Sequence, residues 1–358
     1  MCQCVNVCVL YHTYYPHRVS KNRNFECNYI SEGGPIDFFS HGLVGFFAGK
    51  VMHLDKKLHI ILIISCILPD FDAISLLAGW EAVFTFHRGP THTITFAVAA
   101  SLVITGIYAA ITLKKSVNPI SKKEFLFVFI LSLSGLFSHL FLDLITPWEM
   151  AIFWPFSHQK VVFDLTYFFD PVFFVVLFVS SCIVYFKQIK KSWVITAIVL
   201  VLLLTNFGVR YYEKGIARET VGTEDSDALV LPTIRFDTWW VVIIEKEYHI
   251  YQVNALQKKI VTQKTVDKPG VYTGSVKVPI DSAEEAVEYS KNNEKVKAFI
   301  EKSRLPAVTV DLNNGFWVIF WYDAFSVLDG EITTGMVATV GNDGSIDVQF
   351  SMYTNQNT

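Results

Sequence analysis

The stretch His87-Arg88-Gly89-Pro90-Thr91-His92-Thr93, followed by the uncharged run ITFAVAASLVITGIYAAITL (residues 94–113), decides the reading of this chain. Two imidazoles bracket a Gly-Pro turn. Behind them lies a segment long enough to cross a hydrocarbon core of about 30 Å as a helix. Ionisable groups so close to hydrocarbon are costly and need a partner, a wet cavity or a chemical role. The same juxtaposition recurs along the chain. SHGLVG (40–45), LPDFD (68–72) and SHLFLD (138–143) each stand at the end of an apolar run, which brings seven candidate ligands into view: His41, Asp70, Asp72, His87, His92, His139 and Asp143.

Working outward, four runs are long enough, or nearly so, to span: His92–Leu113, Glu124–Thr146, Pro171–Phe186 and Trp193–Val209. Two shorter runs, Phe38–Met52 and Leu58–Leu68, suit a re-entrant or partly buried helical hairpin. In the first, Gly45 and Gly49 have the spacing that lets helix backbones approach closely. Composition agrees, with 52% hydrophobic residues and a mean hydropathy of +0.37. A net charge of −3 and a pI near 6.4 exclude nucleic acid as an expected partner. Four of the six cysteines (Cys2, Cys4, Cys8, Cys27) fall in the first thirty residues and no CxxC pair occurs, which excludes a zinc ribbon and a disulfide framework.

The basic turns set the expected orientation. Lys114, Lys115, Lys122 and Lys123 in one loop, and Lys187, Lys190 and Lys191 in another, belong on the cytoplasmic side, as do Lys50, Lys56 and Lys57. All seven candidate ligands then trace to the opposite, extracytoplasmic side, as does everything after Val209. Arg210, Lys214 and Arg218 run against that assignment.

Each block carries its own chemistry. His139 and Asp143 are four residues apart, hence on one helical face, and Ser132 and Gly135 continue it as a small, polar stripe. Such a pair can chelate one divalent ion or simply join two helices. Asp70 and Asp72 are two apart after Pro69; in extended chain both carboxylates would face one ion, while in a turn they would only cap the next segment. His87 and His92 on a rigid turn suit Zn²⁺ or a similar borderline ion. Arg88 between them offers a guanidinium fork to a phosphate or carboxylate of a substrate. Together these groups suffice for a one- or two-metal centre that lowers the pKa of a bound water, with Arg88 and Asp72 as catalytic candidates. Asp170 before Pro171 is a helix cap, and Trp148 and Trp154 are expected in the interfacial belt.

Three regions follow: residues 1–35 as a dispensable N-terminal extension, 36–210 as a helical membrane domain with the metal site, and 211–358 as a soluble α+β domain. In the last, Asp237–Val253 and Gly315–Leu328 have strand composition. Thr334–Val340 and Ser345–Ser351 flank Gly341-Asn342-Asp343-Gly344 as a hairpin. Ser282-Ala283-Glu284-Glu285 opens a helix running to about Lys302. The domain carries no catalytic motif, and its one histidine, His249, is expected to be packed or at the surface.

The four blocks in series are Asp37–His41, Leu68–Asp72, His87–His92 and Ser138–Asp143 with Thr146-Pro147-Trp148. They continue into Trp154–Ser157 and Asp170-Pro171. In this order they resemble the YdjM-type family of predicted membrane-bound metal-dependent hydrolases over about residues 36–210. The resemblance implies an integral membrane enzyme using a divalent metal, with the matching His and Asp positions as its ligands, and names no substrate. The expectation is therefore a membrane-bound metal-dependent hydrolase with one or two ions, most simply zinc. It would cleave an ester or phosphoester of a membrane lipid or lipid-linked substrate. A non-catalytic metal-binding transporter or sensor is the rival reading; transport sites lie near the bilayer midplane, whereas these ligands stand at helix ends.

Overall fold

The computed structural model describes residues 38–78, 82, 86–115, 119–168, 170–187, 192–223, 228–269, 279–324 and 332–354. The expected N-terminal extension lies outside the described residues. Two compact units are present, divided between residues 265 and 266.

The first unit begins with two short helices, α1 (Phe38–Val51) and α2 (Lys56–Ile67), packed against each other as the expected hairpin. Asp55 caps α2 by accepting from the Lys57 and Leu58 amides at 2.8 and 3.1 Å. Pro69 ends α2 and begins a tight 3₁₀ segment, Pro69–Ala78, bent 57° from it. After a second, single-turn 3₁₀ piece (Pro90–His92) come α3 (Ile94–Lys115), α4 (Lys122–Leu144), α5 (Pro171–Lys187) and α6 (Ser192–Val221). Asp170 caps α5 as expected, accepting from the Phe173 amide at 2.9 Å. Among the described residues three helices, α3, α4 and α6, are long and apolar enough to cross a membrane; a fourth span results if α2 and its bent continuation count as one.

The helices meet through small residues. A Cβ on Gly45 would stand 2.9 Å from the Ile63 Cα, and one on Gly135 would stand 2.7 Å from the Ser65 Cβ. So α1 and α4 press on α2 from two sides, at distances only glycine permits. Apolar clusters fill the remaining seams: Leu62, Cys66 and Leu131 between α2 and α4, Ala97, Leu136 and Leu140 between α3 and α4, and Phe47, Phe173, Leu177 and Val199 between α1, α5 and α6.

At 30 residues, α6 is about 45 Å long, more than a bilayer core requires. Its last turns pack on an antiparallel sheet of order β1-β2-β3-β4: Ala228–Pro232, Thr238–Ile244, Glu247–Asn254 and Lys259–Asp267. Buried Arg210 donates to the carbonyls of Phe236 (2.6 Å) and Thr233 (3.1 Å), and its guanidinium lies 4.9 Å from the Trp239 ring. The boundary expected at residue 210 thus falls inside one continuous helix, and this sheet belongs to the helical unit. The basic residues that disturbed the charge count are explained in part, since Arg210 is bound to backbone carbonyls there. His249, on β3, sits near Glu245 at 3.8 Å, partly exposed, as expected.

The second unit is a separate sheet of order β5-β6-β7-β8 (Pro306–Asn313, Phe316–Asp323, Ile332–Gly341, Ile346–Thr354), with two short helices, α7 (Ala283–Ser290) and α8 (Glu294–Lys302), packed on it. The expected β7–β8 hairpin is present. The single helix expected after Ser282 is two: Ser282 accepts from the Glu285 amide to start α7, and Asn293 accepts from the Lys295 amide to start α8. An Asn-Asn pair interrupts the run because its side chains cap better than they continue a helix.

Candidate metal centre

Four elements deliver the site. His41 comes from the first turn of α1, Asp70 and Asp72 from the 3₁₀ segment after α2, His87, Arg88 and His92 from the turn before α3, and His139 and Asp143 from the last turns of α4. Apart from Asp72, each is at most 9% exposed.

Their polar atoms converge on one point. The His92 Nε2 lies 3.2 Å from the His139 Nε2, 3.3 Å from the Asp70 Oδ1 and 3.3 Å from the Asp143 Oδ2. The His139 Nε2 lies 3.4 Å from the Asp70 Oδ1 and 3.2 Å from the Asp143 Oδ2. Those are five of the six edges of a tetrahedron. Ligand atoms about 2.0–2.1 Å from a tetrahedral ion stand about 3.3–3.4 Å apart, so the donor set matches in size as well as in chemistry. One donor atom from each of Asp70, His92, His139 and Asp143 lies within 4.8 Å of every other.

The outer contacts fix the tautomers. The His139 Nδ1–H donates to the Cys66 carbonyl at 2.7 Å, one of the last carbonyls of α2, which has no acceptor duty within the helix. The His92 Nδ1 faces the Asp72 Oδ2 at 3.2 Å and the Thr91 hydroxyl at 3.0 Å. With both Nδ1 atoms serving as donors, both Nε2 atoms turn lone pairs toward each other, and a cation or a proton must lie between them. The buried Asp70 Oδ2, Asp143 Oδ2 and His41 Nδ1 have no hydrogen-bond partner. Such orphaned groups cost about 1–3 kcal/mol each, and unused carboxylate oxygens beside paired lone pairs are what a cation site presents. Without an ion, a proton fills the role. Burial opposes charge on His92, but hydrogen bonds to Asp143, Asp70 and Asp72 outweigh it and raise the imidazole to about 10.

The remaining candidates are arranged around this core. Asp72 lies on the far side of His92: it accepts from the His87 Nδ1–H (2.8 Å) and the Thr91 hydroxyl (2.6 Å) besides facing His92. Together with His87 and His92 it forms a second possible ligand group. His41 stacks on His139 with ring centroids 3.8 Å apart, its Nε2 3.6 Å from the Asp143 Oδ1.

Arg88 is not open toward a substrate as its position in the turn suggests. Its Nη2 donates to the Asp143 Oδ1 at 2.9 Å, and its Nη1 to the Thr146 hydroxyl at 2.9 Å and to the Trp148 carbonyl at 3.3 Å. Only its Nε lacks an acceptor. The residue adopts a left-handed backbone, φ 53°, which disfavours a side chain carrying Cβ; the guanidinium contacts hold it there. Trp148 packs against the site, 5.5 Å from the Arg88 guanidinium and 6.2 Å from the His87 ring. Cys66 and Thr91 are the functional neighbours the sequence did not single out. The first acts through its backbone, for which no side-chain signal exists; the second stood inside a quoted block and could have been read as a partner for the adjacent imidazole.

A set of membrane-length helices enclosing a buried His–Asp cluster able to hold a metal ion defines the class: a membrane protein with a candidate metal centre. The chain belongs to the YdjM inner membrane protein family, whose family model matches residues 36–217, just over half of its length. It is also similar to the uncharacterized protein YfhP of Bacillus subtilis (strain 168), 20% identical over 326 residues that cover 87% of this chain and 93% of that one. No solved structure matches the chain.

Proposed function

We propose that this protein is a membrane-bound metal-dependent hydrolase that cleaves an ester or phosphoester presented at the membrane surface. The observation that carries the proposal is the cluster of His92, His139, Asp70 and Asp143, in which five of the six donor–donor distances are 3.2–3.4 Å, as a tetrahedral ion needs. The reading takes one divalent ion, zinc being the simplest choice for two imidazoles and two carboxylates. Such an ion supplies Lewis acidity to a water and to the oxygen of the scissile group. The chain's own residues do the rest. Asp72 and Thr91 hold His92 by its outer nitrogen, and the Cys66 carbonyl does the same for His139, which aims both inner nitrogens at the place an ion would take. Arg88 binds the outer oxygen of Asp143 and offsets its charge, so its role is to position a ligand rather than to grip substrate. His41 lies beside Asp143 at the edge of an adjoining cleft, placed to contact whatever enters.

The proposal also puts the site on the extracytoplasmic side. In support, Lys114 and Lys122 close the α3–α4 hairpin at the end opposite His92 and Asp143. A metal-binding transporter or sensor would share the cluster but not the chemistry. The distinguishing experiment is hydrolysis of soluble aryl esters and aryl phosphoesters by purified protein, with and without added divalent metal and with His92→Ala as control. Metal-dependent turnover that the variant lacks supports the hydrolase. No turnover from metal-loaded protein, or undiminished turnover in the variant, refutes it.

A further inference from the structure

We propose that the 3₁₀ segment Pro69–Ala78, which carries Asp70 and Asp72, is an interfacial anchor whose outer face sinks into the lipid leaflet bordering the metal cluster. The insertion stands whether or not the protein is a hydrolase; only its bearing on substrate rests on that reading.

A 3₁₀ helix repeats every three residues, so the segment has three faces. Phe71, Ile74 and Leu77 make one of them, and they are 55%, 70% and 88% exposed. The other two faces turn inward: Asp70 is buried, and Asp72, Ala73 and Ser75 are half-buried. The exposed residues are therefore one whole face of the element rather than scattered apolar surface. Phe38 extends that face to the start of α1, its ring edge-on to Phe71 with centroids 6.3 Å apart.

Depth decides what covers it. His139 and Asp143 stand in the last turns of α4, a helix long and apolar enough to cross a membrane, and Phe141 between them is exposed. The cluster is thus level with the end of a membrane span. Asp70 reaches that cluster, 3.4 Å from the His139 Nε2, so the segment bearing it runs at the same level. There an outward apolar face meets the boundary between headgroups and acyl chains, into which such elements sink by about 5–10 Å. The other two ligand-bearing elements repeat the arrangement. Phe39 lies two residues before His41, and Phe86 directly before His87, both exposed.

A segment held in water would leave the stripe wet, and a protein covering it would have to displace lipid at that depth. Lipid covers it at no such cost. The segment has no lysine or arginine, so its attraction is hydrophobic and needs no anionic headgroup. The ester and phosphate groups of the lipids stand at the same level, which on the hydrolase reading makes a membrane lipid the substrate class.

The test is photo-crosslinking of the full-length protein in vesicles of dioleoylphosphatidylcholine, with p-benzoylphenylalanine in place of Ile74 or Leu77. The same probe in place of Val103, exposed on the membrane-length α3, is the reference for lipid contact. In place of Leu312, exposed on β5 of the second unit, it is the reference for surface without lipid. Mass spectrometry reads the gain of one phospholipid. The expected result is acyl-chain adducts at Ile74 and Leu77 in a yield matching that at Val103, and none at Leu312. The Leu77 position, as the most exposed, carries the test if replacing Ile74 impairs folding.

Crosslinks from Ile74 and Leu77 to a second copy of the chain or to residues 266–358 overturn the inference. So does a lack of lipid adducts where Val103 gives them, or a yield no higher than at Leu312. The two proposals fail separately. Lipid adducts without turnover leave the anchor standing and remove the hydrolase. Metal-dependent turnover of soluble esters without adducts does the reverse.

Discussion

At the residue scale, Asp70 and Asp72 show how local geometry assigns roles. In extended chain, residues two apart point the same way, and both carboxylates would meet one ion. The segment is instead a 3₁₀ helix, where two residues turn the chain by about 240°. Asp70 therefore faces the cluster, and Asp72 reaches the back of His92. Replacing Asp72 with Asn keeps the shape and removes the charge that orients the imidazole. The expected effect is about 10–100-fold weaker metal binding with unchanged stoichiometry, measured by competition with a chelating dye. The raised proton affinity of His92 gives a second expectation. Below about 10 a proton occupies the metal-free cluster and must leave when an ion enters. Apparent metal affinity should therefore climb with pH, by up to about tenfold per unit. Calorimetry in buffers of different ionisation enthalpy would register the released proton.

At the element scale, the site depends on helices held closer than ordinary side chains allow. Gly135 lies where α4 meets α2, and α2 carries both the Cys66 carbonyl and the lead into Asp70. Gly135→Val would force the two helices apart, at a cost of about 1–3 kcal/mol. It should lower the thermal midpoint and loosen the metal together, whereas Gly106→Val, on α3 with open space around it, should change neither. The elements themselves were largely legible, because uncharged runs, the Asp170 cap and the glycine spacing each have one physical meaning. The split of the expected Ser282–Lys302 helix was not read, although Asn292-Asn293 carried the signal. Nor was the contact of Trp148 with Arg88, since a tryptophan after a membrane helix has the same composition whether it faces headgroups or folds back.

At the scale of the whole molecule, the chemistry resides in one unit. All seven candidate ligands fall within residues 35–265, and sequence order alone brought them to one end of the bundle because each stood beside a helix terminus. The division of the chain was harder to see. Hydropathy drops near residue 210, but α6 continues, and buried Arg210 ties it to the first sheet through the Phe236 and Thr233 carbonyls. A chain ending after Pro269 should then retain bound metal, while one ending after Val221 should lose solubility or metal, because Arg210 is deprived of the Thr233 and Phe236 carbonyls. Detergent-phase size exclusion with metal analysis would compare the two.

The claim on which the account depends is that His92, His139, Asp70 and Asp143 hold one divalent ion. Elemental analysis of purified wild type beside His92→Ala and His139→Ala tests it most directly. The account predicts about one ion per chain in the wild type and almost none in either variant, with the helical content unchanged. A wild type that stays metal-free after loading, or variants that keep their ion, would contradict it.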